Sequence, residues 1–232
     1  MPATTLADRS LIRLSGVDVQ PFLDSLVTNR LTPDGPVWAG LLTPQGKTLF
    51  DFFVWPDEGD WLIDVEAGAA DELAKRLAMY RLRHKIDIVP DQGLAVHWSP
   101  DIDTGHDDPR HPAMGRRWLA PETEAAAGYD AHRLALNICE GRDELADLLW
   151  LETNARELNG VAFDKGCFVG QENTARMNWR NKVNRRLFVV EGEHEKARAT
   201  YPDLGRSVVH ARIDAVPDGA ILPDWLKEAM AA

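Results

Sequence analysis

Two apolar runs joined by a short turn constrain the fold of this chain more than any other feature. The runs cover residues 37–43 and 47–55, and the turn between them is Pro44-Gln45-Gly46. Apolar segments of this length, separated by Pro and Gly, predict a β-hairpin. A further apolar run over residues 60–65 predicts a third strand in the same block.

The spacing of apolar residues predicts the other elements. Asp18 has the N-cap position of an amphipathic helix whose apolar residues are Val19, Phe22, Leu23, Leu26 and Val27. A second such helix is predicted over residues 69–80. Strands are predicted at residues 10–14, 85–89, 93–98, 185–190 and 206–213. Residues 99–112 predict a loop, residues 131–139 fit a helix better than a strand, and residues 143–158 predict a helix with a break near Asn154.

These elements predict an α+β fold with two parts. A chain of 232 residues with 44% apolar residues is long enough for one large domain and a small appendage. The character of the sequence changes after Asn181, so we predict a large domain over residues 1–184 and a small β-rich domain over residues 185–232.

Composition excludes several classes of protein. The net charge of −11 argues against direct DNA binding, which needs a basic surface. No apolar run approaches the ~18 residues that span a bilayer, so no membrane partner is expected. Cys139 and Cys167 are too few for a disulfide scaffold, and the first eight residues resemble no signal peptide. The predicted location is therefore the cytoplasm.

Charge is distributed unevenly along the chain. Residues 57–72 hold seven acids and no base, which is typical of a solvated face. Residues 176–186 hold five bases and no acid (Arg176, Arg180, Lys182, Arg185 and Arg186). A solvated loop and a site for an anionic partner explain this basic segment equally well.

The segment from Lys165 to Glu172 carries the most chemistry. Its sequence is Lys-Gly-Cys-Phe-Val-Gly-Gln-Glu, with one thiol, one amine and two glycines in eight residues. A lysine two positions from Cys167 favours the thiolate, as does a helix that starts at Gly170 or Gln171. The alternative is an inert cysteine in a turn.

No metal site is predicted elsewhere. His106 and His111 lie with Asp107 and Asp108 in the polar loop, but their spacing matches no established zinc pattern.

The motif resembles the K-G-C-aromatic-x-G-Q-E signature of the YgfZ family of folate-binding proteins, which belongs to the superfamily of the glycine-cleavage T-protein, an aminomethyltransferase. Four other blocks resemble the family in the same order: residues 14–29, residues 41–51, the helix segment 133–141 and the lead-in 159–164. The resemblance covers residues 8–190. It implies a T-protein-like domain of mixed sheets and helices, followed by a reduced C-terminal β domain.

The resemblance also implies roles for individual residues. Asp51 falls at the position of the T-protein's catalytic aspartate, next to the pterin of tetrahydrofolate. Arg133 falls where the family contacts folate, and Cys167 is the residue associated with YgfZ function, in a loop shaped by Lys165 and Gly166. We assign Cys167, Lys165 and Asp51 to catalysis. The predicted folate contacts are Asp51, Arg133, Gly166, Gln171, Arg176 and Arg180.

Three departures from the family pattern weaken the transferase interpretation. Cys139 stands where the family helix carries a carboxylate. Only 42 residues follow Val190, and the stretch from Val89 to Tyr129 is short for the family. A shorter wall leaves the folate pocket more open.

Two functions remain open from sequence. The first is a tetrahydrofolate-binding factor whose motif cysteine supports assembly or repair of iron–sulfur clusters in client enzymes, including tRNA-modifying ones. The second is a folate-dependent one-carbon transferase, and whether the chain is an enzyme is left undecided. An RNA binder is a weaker alternative, because Trp179 is the sole clear stacking aromatic in the basic segment. That segment complements the polyglutamate tails of cellular folates.

These assignments make two structural expectations. One pocket should be lined by Asp51 and Arg133, with Cys167 near its mouth. Cys167 should be exposed, and Cys139 should be a small buried hydrophobe.

Overall fold

The structure is a computed structural model that describes residues 3–179 and 183–231. Its largest element is an antiparallel five-stranded sheet in the order β2-β3-β4-β1-β5. The strands are β1 (Arg9–Ser15), β2 (Val37–Leu42), β3 (Thr48–Asp57), β4 (Asp60–Glu66) and β5 (Asp87–Asp91). The predicted hairpin is confirmed, because β2 pairs with β3 and Gly40 lies opposite Asp51.

Two amphipathic helices cover one face of this sheet. They are α1 (Val19–Asp24) and α2 (Ala70–Arg81). Phe22 and Leu73 on these helices pack against Ile12 and Phe52 of the sheet in one apolar core. The opposite face of the sheet forms a second core around Trp38, Phe53, Trp98 and Trp150. Both faces are therefore buried, which fits the near-continuous apolar sequence of β3.

A smaller sheet and one short helix contribute to the second core, and two further short helices follow in the chain. The sheet has the order β6-β8-β7, with β6 (Ala95–Ser99), β7 (His106–Asp107) and β8 (Arg116–Ala120). The helices are α3 (Tyr129–Ala135), α4 (Arg142–Leu145) and α5 (Gln171–Trp179), with a 3₁₀ turn over Trp150–Thr153. The predicted helix start at Gln171 is confirmed.

The C-terminal residues form a third sheet and a helix. The strands β9 (Arg185–Glu191), β10 (Ala197–Tyr201) and β11 (Arg206–Arg212) have the order β10-β11-β9. One face packs against Leu134 and Cys139, and the other against Leu226 of α6 (Asp224–Ala231). The division of the chain at residue 184 remains a prediction.

The structure corrects two predicted helices. The helix after Asp18 ends at Asp24, and Val27 instead forms a bridge with Leu41 of the sheet. Residues 143–158 do not form one helix, because Asp147 and Leu148 bond to the backbone of Thr48, and Asn154 has a φ of +65°. Strands β8 and β10 and helix α6 were not predicted. None of the helices in the described ranges is long and apolar enough to cross a bilayer.

Candidate functional site

A lysine anchors the loop that carries the motif cysteine. We call residues 163–170 the Cys167 loop. The side chain of Lys165 is buried, and its Nζ donates hydrogen bonds to the carbonyl oxygens of Val27 at 2.7 Å and Asn29 at 2.8 Å. Burial lowers the pKa of Lys165 to about 8. The ammonium therefore fastens the loop to the segment after α1, a role that sequence reasoning did not foresee.

The residues before the loop are fastened to the same segment. Thr28 Oγ1 donates to the carbonyl of Gly160 at 2.7 Å and accepts the N–H of Gly40 at 2.8 Å. The N–H of Ala162 donates to the carbonyl of Thr28, and Asn29 Nδ2 donates to the carbonyl of Trp38. Sequence blocks that lie 130 residues apart thus hold each other in place around the large sheet.

The β2–β3 hairpin supports the other end of the loop. Gly170 has a φ of +83°, and a Cβ at this position would lie 2.6 Å from the carbonyl oxygen of Thr43. Asn173, in the first turn of α5, donates through Nδ2 to the carbonyl of Gln45 in the hairpin turn. Only glycine allows this close approach of the two backbones.

The two cysteines lie in opposite environments. Cys167 is exposed on the anchored loop, whereas Cys139 is 1% exposed and packs with Leu134 and Leu145. Burial raises the pKa of Cys139 well above its usual value, and the Glu144 carboxylate adds to the effect. Both predictions about thiol exposure are confirmed. The thiol of Cys167 is the accessible one.

Asp51 lies on β3 and is buried. Its Oδ1 accepts the N–H of Gly141 at 3.0 Å, and its Oδ2 accepts the indole N–H of Trp38 at 3.3 Å. Burial raises the pKa of Asp51 to about 6, against the opposing effect of Arg9, and the Glu140 carboxylate raises it further. A carboxyl group with this pKa can hold or release a proton near neutrality.

Arg133 lies on α3, with its guanidinium inside a polar network. Its nitrogens donate to both carboxylate oxygens of Glu144, to Asp130 and to the hydroxyl of Tyr201. Glu144 also accepts the N–H of Glu140 at 2.9 Å. Glu140 and Glu144 thus supply carboxylates beside Cys139, where the family pattern places one.

A buried cluster of charges continues from Arg133 into the second core. It contains the side chains of Arg9, Asp64, Asp108, Arg110, Arg117, Tyr129 and Glu140. Arg117 and Arg110 stack on the ring of Phe53, with guanidinium carbons 4.0 and 4.8 Å from its centroid. Burial alone would raise the pKa of Glu140, but Arg110 and Arg133 outweigh it and hold that pKa far below the usual value. Sequence analysis missed this cluster.

A cleft of about 320 Å³ opens above Asp51 and Arg133. Its lining includes Arg9, Glu66, Arg133, Gly141 and Arg142. Asp51 does not line the cleft and lies behind Gly141, to which it is hydrogen-bonded. A neighbouring cleft of about 500 Å³ shares residues 8, 130 and 201 with it, so the two form one groove.

The structure brings only some of the predicted site residues together. Arg133 lines the cleft and Asp51 supports its wall, but neither Cys167 nor Lys165 belongs to the lining that the described residues form. The cleft beside Arg133 thus differs from the expected pocket, which has Cys167 at its mouth and Asp51 in its lining. The hairpin that carries Asp51 on one strand uses its turn to support the Cys167 loop.

Gly166, Gln171 and Arg176, three other predicted contacts, lie in the Cys167 loop or in the helix that follows it. Gly166 is exposed, and Gln171 Nε2 reaches its carbonyl at 3.5 Å. Arg176 forms an exposed pair with Glu172 at 2.8 Å, one helical turn away. Arg180 lies outside the described residues. Arg186, by contrast, is buried against Glu157 at 2.9 Å, so the basic segment does not form one exposed patch.

Comparison with known proteins gives relatives by sequence and a neighbour by fold. No family model matches the chain. The chain is 30% identical over 252 residues to the iron–sulfur cluster assembly factor IBA57 homolog, mitochondrial, of Neurospora crassa, covering 90% of this chain and 57% of that protein. It is 31% identical to human IBA57, mitochondrial, covering 80% of this chain and 65% of that protein. The chain therefore spans about three fifths of the length of these relatives.

The fold comparison agrees with the predicted class. The aminomethyltransferase T of the Bartonella henselae glycine cleavage system superposes with a TM-score of 0.62 at 12% identity, over 84% of this chain and 68% of that chain. The predicted α+β fold of the T-protein type is confirmed.

The comparison by sequence shows that the predicted cytoplasmic location is wrong. The relatives from Neurospora crassa, human and mouse are named as mitochondrial proteins. The location was inferred from two free cysteines, and cysteine usage reports only a reducing compartment.

Proposed function

From its similarity to IBA57 assembly factors over most of its length, we propose that this chain is an iron–sulfur cluster assembly factor whose working group is the thiol of Cys167. The observation that carries the proposal is the presentation of Cys167. It is exposed on a loop that Lys165 and Gly170 anchor from both sides. Rigid presentation of an accessible thiol suits a ligand that must be offered to a partner.

Cluster chemistry determines the kind of partner. Iron–sulfur clusters are held by cysteine thiolates, commonly four. The described residues contain no group of three or more potential metal ligands, and Cys139 is buried away from the surface. This chain therefore contributes one ligand, and an assembly factor or client protein supplies the others. The cluster is cargo that passes through the complex. Clusters of tRNA-modifying enzymes remain one predicted destination.

Tetrahydrofolate is the second ligand we propose, in the groove above Arg133. The groove offers acceptors for pterin N–H groups, among them Glu66 and Asp130. Arg142, whose exposed guanidinium is shared with Glu72 at 2.6 Å, suits an anionic tail. Arg133 and Asp51 fit a supporting role better than direct contact, because their polar atoms already bond to protein groups. When bound, folate would supply one-carbon chemistry, and Asp51 could hold a proton behind Gly141.

The fold alone supports the alternative of an aminomethyltransferase. Asp51 argues against it, because both carboxylate oxygens are engaged and the side chain does not line the groove. An efficient transferase needs its catalytic carboxylate within hydrogen-bond reach of the substrate.

Rescue of iron–sulfur enzyme activity tests the thiol role. In cells that lack the protein, Cys167→Ser should fail to restore activity, while Cys139→Ala should restore it in proportion to its folded fraction. A melting curve of each purified variant gives that fraction. Full rescue by Cys167→Ser would refute the proposal.

Calorimetric titration tests folate separately. Tetrahydrofolate should bind the wild type and Cys167→Ser equally, since Cys167 lies outside the groove. Arg142→Glu should weaken binding and should weaken it most for polyglutamyl folate. Equal affinities for all three proteins and both tail lengths would remove the groove from folate binding without affecting the thiol role.

A further inference from the structure

Three aliphatic side chains protrude at one end of the large sheet. Val17, before α1, is 90% exposed, Leu82, at the end of α2, is 87% exposed, and Met79 is 63% exposed. We call residues 17 and 79–85 the α2 tip. Exposed aliphatic residues are ordinary when they are scattered, but a group of them on one surface marks a binding site.

Contacts between the two segments place these residues side by side. Asp18 Oδ2 accepts the N–H of Lys85 at 3.2 Å, and the ring of His84 lies 5.6 Å from that of Phe22 on α1. Val17 precedes Asp18, and Leu82 precedes His84 by two residues. Met79 lies in the last turn of α2, and Leu82 is the residue that directly follows the helix.

Basic residues surround the protruding side chains. The segment from residue 75 to residue 85 holds Lys75, Arg76, Arg81, Arg83 and Lys85, and it contains no acid. None of these five bases lies within 4 Å of a carboxylate in the described part of the chain, whereas Arg133 and Arg186 are paired with glutamates. The nearest acids in sequence are Asp71 and Glu72, in the first turn of α2, and Asp87 on β5. Asp18, which accepts the N–H of Lys85, is close in space.

The backbone exposes Leu82 at a cost. Leu82 has φ +46° and ψ −106°, a conformation that strains any residue except glycine. Strain of this kind is retained where function requires it. A glycine would end α2 here without this strain.

We propose that the α2 tip docks this protein on an anionic lipid surface. Unpaired bases attract the headgroups, and Val17, Met79 and Leu82 enter the boundary between headgroups and acyl chains. Sequence analysis predicted no membrane partner because no segment spans a bilayer. Docking at the surface needs only this combination of charge and protruding apolar side chains. The proposal is independent of Cys167.

The chemistry of the tip favours lipid over other anionic partners. A single-stranded nucleic acid needs aromatic faces for stacking, and the exposed apolar side chains here are all aliphatic. A protein partner needs a packed apolar centre, and side chains exposed by 87–90% lack support from neighbours. A bilayer accepts separate aliphatic side chains without shape complementarity.

Vesicle sedimentation tests the proposal with the full chain. The wild type should bind vesicles of phosphatidylcholine with about one third phosphatidylglycerol, and should bind pure phosphatidylcholine far less. Each base near an anionic surface changes affinity about fivefold. Arg83→Glu combined with Lys85→Glu should therefore reduce binding by a factor of about 25 or more. Leu82→Gly should reduce binding about tenfold while raising the melting temperature, because it removes the side chain and the strain.

Matched variants control for total charge and for apolar exposure. Lys196→Glu with Lys227→Glu changes the net charge equally on exposed residues elsewhere, and Trp179→Ser removes a side chain that is 91% exposed. Neither should change binding more than about twofold. Equal binding to both kinds of vesicle, an equal loss in the control variants, or no binding by the wild type would each overturn the proposal.

Discussion

The Cys167 loop and the buried charge cluster around Arg133 use polar groups in opposite ways. In the cluster, charges pair with one another away from water, and Arg133 alone bonds to Glu144, Asp130 and Tyr201. In the loop, one buried ammonium holds the backbone, and the Cys167 side chain is exposed. We therefore expect substitutions in the cluster to change stability strongly and substitution of the exposed thiol to change it little.

The comparison teaches that a residue predicted to bind a ligand can have its polar atoms engaged within the protein. Asp51 and Arg133 were assigned to folate from the resemblance, yet their polar atoms are already engaged within the protein. Cys167, by contrast, is exposed, and its thiol forms no hydrogen bond within the described ranges. The following substitutions measure how different the two regions are.

The largest effect is expected in the charge cluster. Glu144→Ala should lower the free energy of unfolding by about 3–5 kcal/mol, because it leaves the buried guanidinium of Arg133 without its main partner. Urea denaturation measures the change. Glu172→Ala, which breaks the exposed pair with Arg176, should cost less than about 0.5 kcal/mol. Similar costs for the two variants would show that the cluster is not a major source of stability.

The anchoring of the Cys167 loop should depend on one of its two glycines. Gly170→Ala should cost about 2–3 kcal/mol, since its φ is +83° and its Cβ would collide with the carbonyl of Thr43. Gly166→Ala should change stability by less than about 0.5 kcal/mol, because a Cβ there meets nothing within 4 Å. Thermal melts of both variants decide the point. An equal loss at Gly166 would mean that the whole loop is packed.

Asp51 should make stability depend on pH. Its pKa is about 6 when folded and near 3.8 when unfolded, so the folded protein retains a proton across this window that the unfolded chain has lost. The free energy of unfolding therefore falls as pH rises from 3.8 to 6, by about 3 kcal/mol in total. Asp51→Asn should remove this decline, so its stability relative to wild type should improve between pH 4 and pH 7. A difference that is constant with pH would contradict the raised pKa.

The smallest effect on stability is expected at Cys167. Cys167→Ala should change the free energy of unfolding by less than about 0.5 kcal/mol, because the side chain is exposed. A thiol reagent should label Cys167 in the native protein well before Cys139, which reacts only after unfolding. Mass spectrometry of partly labelled protein separates the two sites. Labelling of Cys139 at a comparable rate would erase the difference between the regions.

Short sequence patterns predicted those features that depend mainly on neighbouring residues in the chain. The hairpin, helix α2, the burial of Cys139 and the exposure of Cys167 follow from the residues next to them in sequence. The structure confirms all four. The charge cluster could not be predicted, because Arg110 and Arg117 occur in a polar stretch and become buried only through partners that are distant in sequence, such as Asp64 and Glu140. The position of Cys167 outside the cleft beside Arg133 could not be predicted for the same reason, since a motif specifies its own loop and not the residues that lie around a distant cleft.

The contacts of Lys165 have a consequence for the order of folding. Its Nζ reaches Val27 and Asn29 across more than 130 residues, and Gly170 packs on the distant hairpin. Closing so long a loop has an entropic cost that is recovered only when the receiving surface is already in place. In pulsed hydrogen exchange, the Ala162 amide bonded to Thr28 should therefore gain protection after the strand amides of β3. The thiol would then reach its working position only in a molecule whose large sheet is complete, so that an unfinished chain does not display a cluster ligand.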